Sequence, residues 1–247
     1  MIHPSAIIEE GADIGRDVVV GPFSLVHSNV TLGDGSVVDS HCVLGHTEPG
    51  GAPAPLTIGA NARIRSHSLL YGGSEIGADL ETGHRVTIRE RSTIGASLRV
   101  GTLSDLQGSC SIGNHVRFHS NVHISQHSTV GDFVWIFPYV VLTNDPHPPS
   151  DGFLTGVTVE SFAVIATMST VLPGLTIGRD SLVGAHSLVN RDVRPGAVVA
   201  GTPAKERGDS SAIELRDGSG SAYPWRRHFR RGYPEDVIAG WAAEFDG

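Results

Sequence analysis

The sequence predicts an all-β chain wound as a left-handed parallel β-helix, with a short C-terminal extension containing one helix. Three observations carry this reading. An apolar residue recurs at every sixth position, glycine often follows it, and a small residue often stands four places after it. A helical period of 3.6 cannot produce that stride, and a strand period of 2 does not demand it. An ordinary β-sandwich would not hold the register over so long a run.

From Ile2 the stride passes through Ile8, Ile14, Val20, Val26, Leu32, Val38 and Leu44. It lapses over residues 45–57, resumes at Ile58 and runs to Leu142, broken only by Thr82. After a second lapse it returns at Val159 and continues to Val189. Each hexad reads as one short strand and a corner, and three hexads close one coil of eighteen residues. The apolar residue points into a triangular prism and the small residue fills the space near a corner. Gly15, Gly33, Gly59, Gly77 and their equivalents are expected to serve the unusual backbone of the turns. Coils then stack by parallel hydrogen bonding, each touching only its neighbours. Cys42 and Cys110 fall in the small inward slot and read as core residues. The prism is expected to span residues 1–205 in about ten coils. Residues 206–247 read as a linker with a flexible GSGS centre, then a basic aromatic segment, then a short helix started by Pro234.

The bulk numbers exclude several classes. A net charge of −8 argues against nucleic acid as a partner. No apolar run approaches the ~20 residues of a membrane span. The start MIHPSAIIEE lacks the basic and apolar pattern of a leader, and two cysteines imply no disulfide framework. A cytoplasmic location is expected.

His115, His119, His123 and His127 are spaced by four, a helical zinc spacing. The hexad register dissolves that reading. None of the four occupies an inward slot, and they fall on different walls of one coil. One metal bound by all four is not expected, and no metal is assigned.

Four segments carry a family likeness: TGHRVTIRE (82–90), IGNHVRFHSNVHIS, VVLTNDPHPPS (140–150) and VLPGLTIG with VVAGTPAK (198–205). Together they resemble the nucleotide-sugar N-acetyltransferases of the hexapeptide-repeat acyltransferase superfamily. The opening IHPSAIIEEGADIG resembles the UDP-N-acetylglucosamine acyltransferases of lipid A synthesis. The resemblance implies a homotrimer acting on a small molecule. It also implies acetyl-CoA or another acyl-CoA as co-substrate, and transfer of its acyl group to the amine of a nucleotide-linked amino sugar.

Relatives with a catalytic histidine place it two after an inward aliphatic residue. Two after Ile124 this chain has Gln126, with His127 one position late. A free amine attacks a thioester more readily than a hydroxyl does, so Gln126 is tolerable for N-acyl transfer and argues against O-acyl transfer. His84 does hold the offset, two after the polar Thr82, and is a candidate general base together with His123. Glu90, His119, Gln126, Asn144 and Asp145 are candidate substrate-binding residues. Glu90 and Asn144 hold the same offset at corners, and Asp145 reads equally as a turn residue in NDP. Ala166, Ala185 and Lys205, from the last coils, are expected to hold the CoA, and Arg226 and Arg227 its phosphates or those of a sugar nucleotide. The basic tail reads equally as a cap with a solvated Arg face. Three alternatives stay open: another small amine such as an antibiotic intermediate, a zinc hydratase of the gamma carbonic anhydrase type, and a non-catalytic scaffold.

Overall fold

The hexads fold as strands of two to four residues, each followed by a corner, in the computed structural model, which describes residues 1–48, 50–150 and 152–246. Pro49 in the first lapse and Asp151 in the second lie outside the described residues. Successive strands face three walls of a left-handed prism. The first wall has ten strands, from Ile7–Ile8 to Leu188–Val189. The second has nine, from Asp13–Ile14 to Thr176–Ile177. The third has eleven, from Val19–Val20 to Lys205–Asp209. Pairings between coils are parallel, with partners eighteen residues apart in most of the prism, as in Leu106↔Ile124 and Ile112↔Val130.

The two lapses are loops that leave the walls intact. Across the first, Leu32 pairs with Ile58, 26 residues on instead of 18, so the loop inserts eight residues. Across the second, Val130 pairs with Val159, 29 on, an insertion of eleven. Prism geometry therefore resumes in the same register after each excursion.

The core is a single column of apolar side chains. Leu44, Leu70, Ile88, Leu106, Ile124 and Leu142 are fully buried, and both cysteines lie among them. Burial pushes the Cys110 thiol up to about 11, so it is inert core rather than a nucleophile. Thr82 keeps the inward orientation, and its hydroxyl accepts the Arg65 amide at 2.9 Å. The slot four places later takes Val86, Leu98 and Val122 as readily as serine. Where serine does stand there, its hydroxyl is satisfied by a corner carbonyl: Ser68 donates to Arg65 at 2.7 Å and Ser181 to Gly178 at 2.6 Å.

The role expected of the glycines is corrected. Most of the corners with left-handed backbone are held by other residues, among them His115 (φ 56), His127 (φ 65), Phe133 (φ 59) and Tyr139 (φ 61). The glycines after the aliphatic residue serve close packing between coils. A Cβ on Gly33 would meet the Ala60 amide nitrogen at 2.5 Å, and one on Gly77 that of Ala96 at 2.7 Å. Neighbouring corners approach too closely for any side chain at that place.

The tail is more ordered than a linker. Lys205–Asp209 continues the third wall as an antiparallel strand on Ala197–Ala200, so the expected boundary at 205 falls at the start of a strand. The GSGS stretch is the tip of a small hairpin, with Glu214 bridged to Ser221. The chain then turns back along the third wall through Trp225–Arg227 and ends in the helix Glu235–Asp246. Trp225, Tyr233 and Trp241 pack on Phe162 and Val164 as a second core outside the prism. The Trp225 indole donates to the Phe162 carbonyl at 3.1 Å, and that of Trp135 to the Tyr233 hydroxyl at 2.9 Å.

Arg226 pins this arrangement. It is 3% exposed, lies 4.1 Å over the Phe162 ring, donates to Glu244 at 2.6 and 3.0 Å, and donates also to Asp180. The expectation that Arg226 holds a cofactor phosphate is thereby corrected, since its donors are spent on two carboxylates of this chain. Replacing Arg226 by alanine removes these charged hydrogen bonds and should loosen the tail by about 2 kcal/mol. Limited trypsin digestion should then cut faster at Arg230 and Arg231, while the main unfolding transition of the prism stays put.

Candidate functional site

Because coils repeat every eighteen residues, side chains that share a register position form columns. Strand spacing sets each step at roughly 4.8 Å. His123 stands on the first wall directly above Asp105, its register partner. Its Nδ1 lies 3.1 Å from both Asp105 carboxylate oxygens, and the Gln107 amide donates to the same carboxylate. Burial pushes the Asp105 carboxyl up, but the bonds from His123 and Gln107 outweigh it and hold it below the ordinary aspartate value. An ionised Asp105 makes Nδ1 the protonated nitrogen and leaves Nε2 as the acceptor. Both side chains are about one-third exposed, so the imidazole is open to a ligand on this wall.

Gln126 follows on the same coil, half-buried at the corner between the first and second walls. Asn144 stands one coil further on in the same column, and its carbonyl accepts the Thr155 amide at 2.9 Å, anchoring the second loop. His123, Gln126 and Asn144 thus share one edge of the prism. Asp145 holds the loop from within: it accepts the Ser150 hydroxyl at 2.5 Å and the amides of His147 and Ser150 at 3.0 Å. These bonds, the Ser150 hydroxyl first, hold its carboxyl below the ordinary aspartate value. The turn reading of Asp145 accounts for all three contacts.

Glu90 lies two coils before Gln126 in that column, 8% exposed and bridged to Arg89 at 3.1 Å and Arg91 at 3.3 Å. It faces a separate cavity of about 230 Å³ under the first loop, with His46, Glu48 and Tyr71. His84 and His119 are on neither of these faces. They line a cleft on the third wall, where the His84 Nδ1 meets the Ser66 hydroxyl at 2.9 Å and His119 stacks on Phe137 at 4.6 Å. Burial holds His119 below the ordinary histidine value, so it is neutral at pH 7.

The residues expected to hold a cofactor are dispersed. Ala166 and Ala185 lie on the third wall and the corner beyond it, whereas Lys205 lines a cavity of about 430 Å³ at the prism end with Arg191, Asp192 and Arg194. Arg227 is exposed and stacks 4.5 Å from the Phe245 ring. Among the described residues no three histidine, cysteine or carboxylate side chains of this chain converge as a metal site.

Asp105 and Gln107 were missed in the sequence, although a stride of eighteen from His123 lands on Asp105. Arg99, Arg117 and Trp135 in the third-wall cleft follow the same stride, and Arg65 shares the neighbouring column with His119. Phe229 and Arg231 stand in the basic aromatic segment of the tail, and only the folding-back of that tail brings them to this cleft.

The description "Bacterial transferase hexapeptide (six repeats)" matches residues 11–46. The hexapeptide repeat of that family is matched within this stretch. Over 96 residues it is 34% identical to the acyl-[acyl-carrier-protein]–UDP-N-acetylglucosamine O-acyltransferase of Brucella anthropi, covering 30% of this chain and 34% of that one. The protein of the same name from Chlamydia caviae is 36% identical over 109 residues, covering 35% and 39%. The chain therefore spans little more than a third of the curated relatives it matches. Among solved structures, the Arabidopsis UDP-N-acetylglucosamine acyltransferase superposes with a TM-score of 0.47 at 21% identity, over 85% of this chain and 74% of that one. The GDP-perosamine N-acetyl transferase of Caulobacter crescentus gives 0.37 at 22% identity, over 57% of each.

His115 stacks between the prism and the tail, 5.0 Å from Phe133, and its buried Nδ1 has no hydrogen-bond partner among the described residues. Burial, then the Arg117 charge, lower its pKa against the opposing pull of Asp132, Asp236 and Asp79. The folded state thus resists a proton that the unfolded chain accepts, so stability is lost as pH falls through about 6.5 toward the lowered native value. His115→Phe extends the ring stack and removes the orphan nitrogen. It should stabilise by about 1 kcal/mol at pH 7 and by more at pH 5.5, read as the difference in Tm between the two proteins.

Proposed function

We propose that the protein is an acyltransferase moving an acetyl or other short acyl group from an acyl-CoA thioester to the amine of a nucleotide-linked amino sugar, with His123 as general base. The observation that carries this reading is the His123–Asp105 pair. A carboxylate that holds Nδ1–H leaves Nε2 aimed outward as a proton acceptor and stabilises the imidazolium that forms. The hexapeptide repeats and the acyltransferase names of the relatives support the class. Those relatives are named for an acyl carrier protein as donor, and the same thioester chemistry serves either carrier.

The amine attacks the thioester carbonyl carbon, and the new C–N bond forms as the carbonyl π electrons move to oxygen. Collapse of the tetrahedral intermediate breaks the C–S bond. The proton shed by the nitrogen passes to His123 Nε2 and from there to the departing thiolate. Gln126 and Asn144, on the same edge, supply amide groups to orient the acceptor sugar. The Gln126 position favours an amine over a hydroxyl acceptor, since two places after Ile124 it puts an amide rather than an imidazole. The active assembly is a homotrimer, with the open first wall facing a cleft between protomers, and the ordered tail occupies the third wall instead.

The test is thiol release from acetyl-CoA with a UDP- or dTDP-linked amino sugar. His123→Ala should lower kcat by about 10²-fold or more, and Asp105→Asn by roughly tenfold or more. His84→Ala should lie within about threefold of the parent, because His84 has no carboxylate partner to hold its tautomer. A near-parental rate in His123→Ala would overturn the assignment of the base. A hydroxy-sugar accepted as well as the amino sugar would overturn the amine.

A further inference from the structure

The third-wall cleft has a chemistry that the acyl-transfer reading leaves unused. It encloses about 560 Å³ where the tail crosses the wall. Arg65, Arg99 and Arg117 rise from the wall and Arg231 comes from the tail, against a single lining carboxylate, Glu81. Arg117 is committed to structure, 7% exposed and donating to the carbonyls of Ser97 at 2.6 Å and Gly232 at 3.2 Å. Arg99 is half-exposed and holds Glu81 at 3.1 Å. Arg65 reaches Asp39 only at 3.7 Å, and Arg231 is exposed with no ion pair among the described residues. A chain of net charge −8 therefore keeps a concentrated positive field in one concave place.

Next to this charge lies an aromatic slot. It encloses about 170 Å³, shares Trp135 and Phe229 with the basic cleft, and is closed by Phe137, Val164 and Tyr223. The hydroxyls of Thr102 and Ser120 line the basic part as further donors. Guanidinium forks match phosphate oxygens, and aromatic faces take a flat ring. The volumes suit one small ligand and not a polynucleotide.

We propose that this cleft binds a nucleoside phosphate, with its base against Trp135 and Phe229 and its phosphates on Arg231 and Arg65. The site needs no thioester and stands whether or not the acyl-transfer reading holds. The shared chemistry is a heteroaromatic ring joined to phosphate. Two sources offer it: a pyrimidine nucleoside diphosphate and adenosine 3′,5′-bisphosphate. Titration calorimetry of the full chain with UDP and with adenosine 3′,5′-bisphosphate, without acyl donor, separates them, since the tighter binder names the source. Quenching of tryptophan fluorescence gives a second readout. At least one should bind with a Kd below about 1 mM, and Arg231→Gln should weaken it by about tenfold or more. Arg216→Gln, an exposed change elsewhere in the tail, serves as the control and should bind like the parent. Failure of both nucleotides at millimolar concentration, or unchanged binding by a folded Arg231→Gln protein, would overturn the site. Inorganic pyrophosphate binding as tightly as either nucleotide would overturn the role of the aromatic slot.

Discussion

The backbone ladder between coils is the interaction on which everything else depends. Most strands are only two or three residues long and bury one or two side chains, so no strand is stable alone. Parallel pairing at a fixed offset of eighteen converts these fragments into continuous walls. The ladder also determines who meets whom. It sets Asp105 under His123, stacks His115 on Phe133 and Phe133 on Phe162, and forces glycine where corners nearly touch.

The tail shows a different economy. Three walls of a prism are all solvent-facing unless something covers them, and the narrow core takes few aromatic rings, Phe118 among them. Trp135, Phe133 and Phe162 therefore stand outside, and the tail's Trp225, Tyr233 and Trp241 bury them. Arg226 accompanies this apolar contact with two carboxylates and an aromatic face, which is how a guanidinium comes to be 3% exposed. Covering the third wall also encloses the arginine-rich cleft beneath the tail, while the first wall with its His123–Asp105 pair stays open.

Two histidines of one coil show how position alone separates roles. His119 on the third wall is kept neutral by burial against aromatic rings. His123, four residues on and past a corner, has a carboxylate on one nitrogen and solvent on the other. The helical spacing that suggests a common metal site belongs to a chain that turns a corner between them.

The hexad stride of inward apolar residues determined the fold, the coil length and the burial of both cysteines, because a residue needs only its own position to face inward. The loops and the C-terminal helix were equally legible, since lost register and an initiating proline are local signals. The site was legible only in part. Gln126, Asn144 and His123 fall on one edge because their offsets already share a corner. Tertiary structure alone decided the rest, since contacts between coils join residues eighteen apart and the tail joins residues about a hundred apart. It paired His123 with Asp105, moved His84 and His119 to another wall, spent Arg226 on internal carboxylates, and brought Arg231 to a cleft whose other arginines lie more than a hundred residues away.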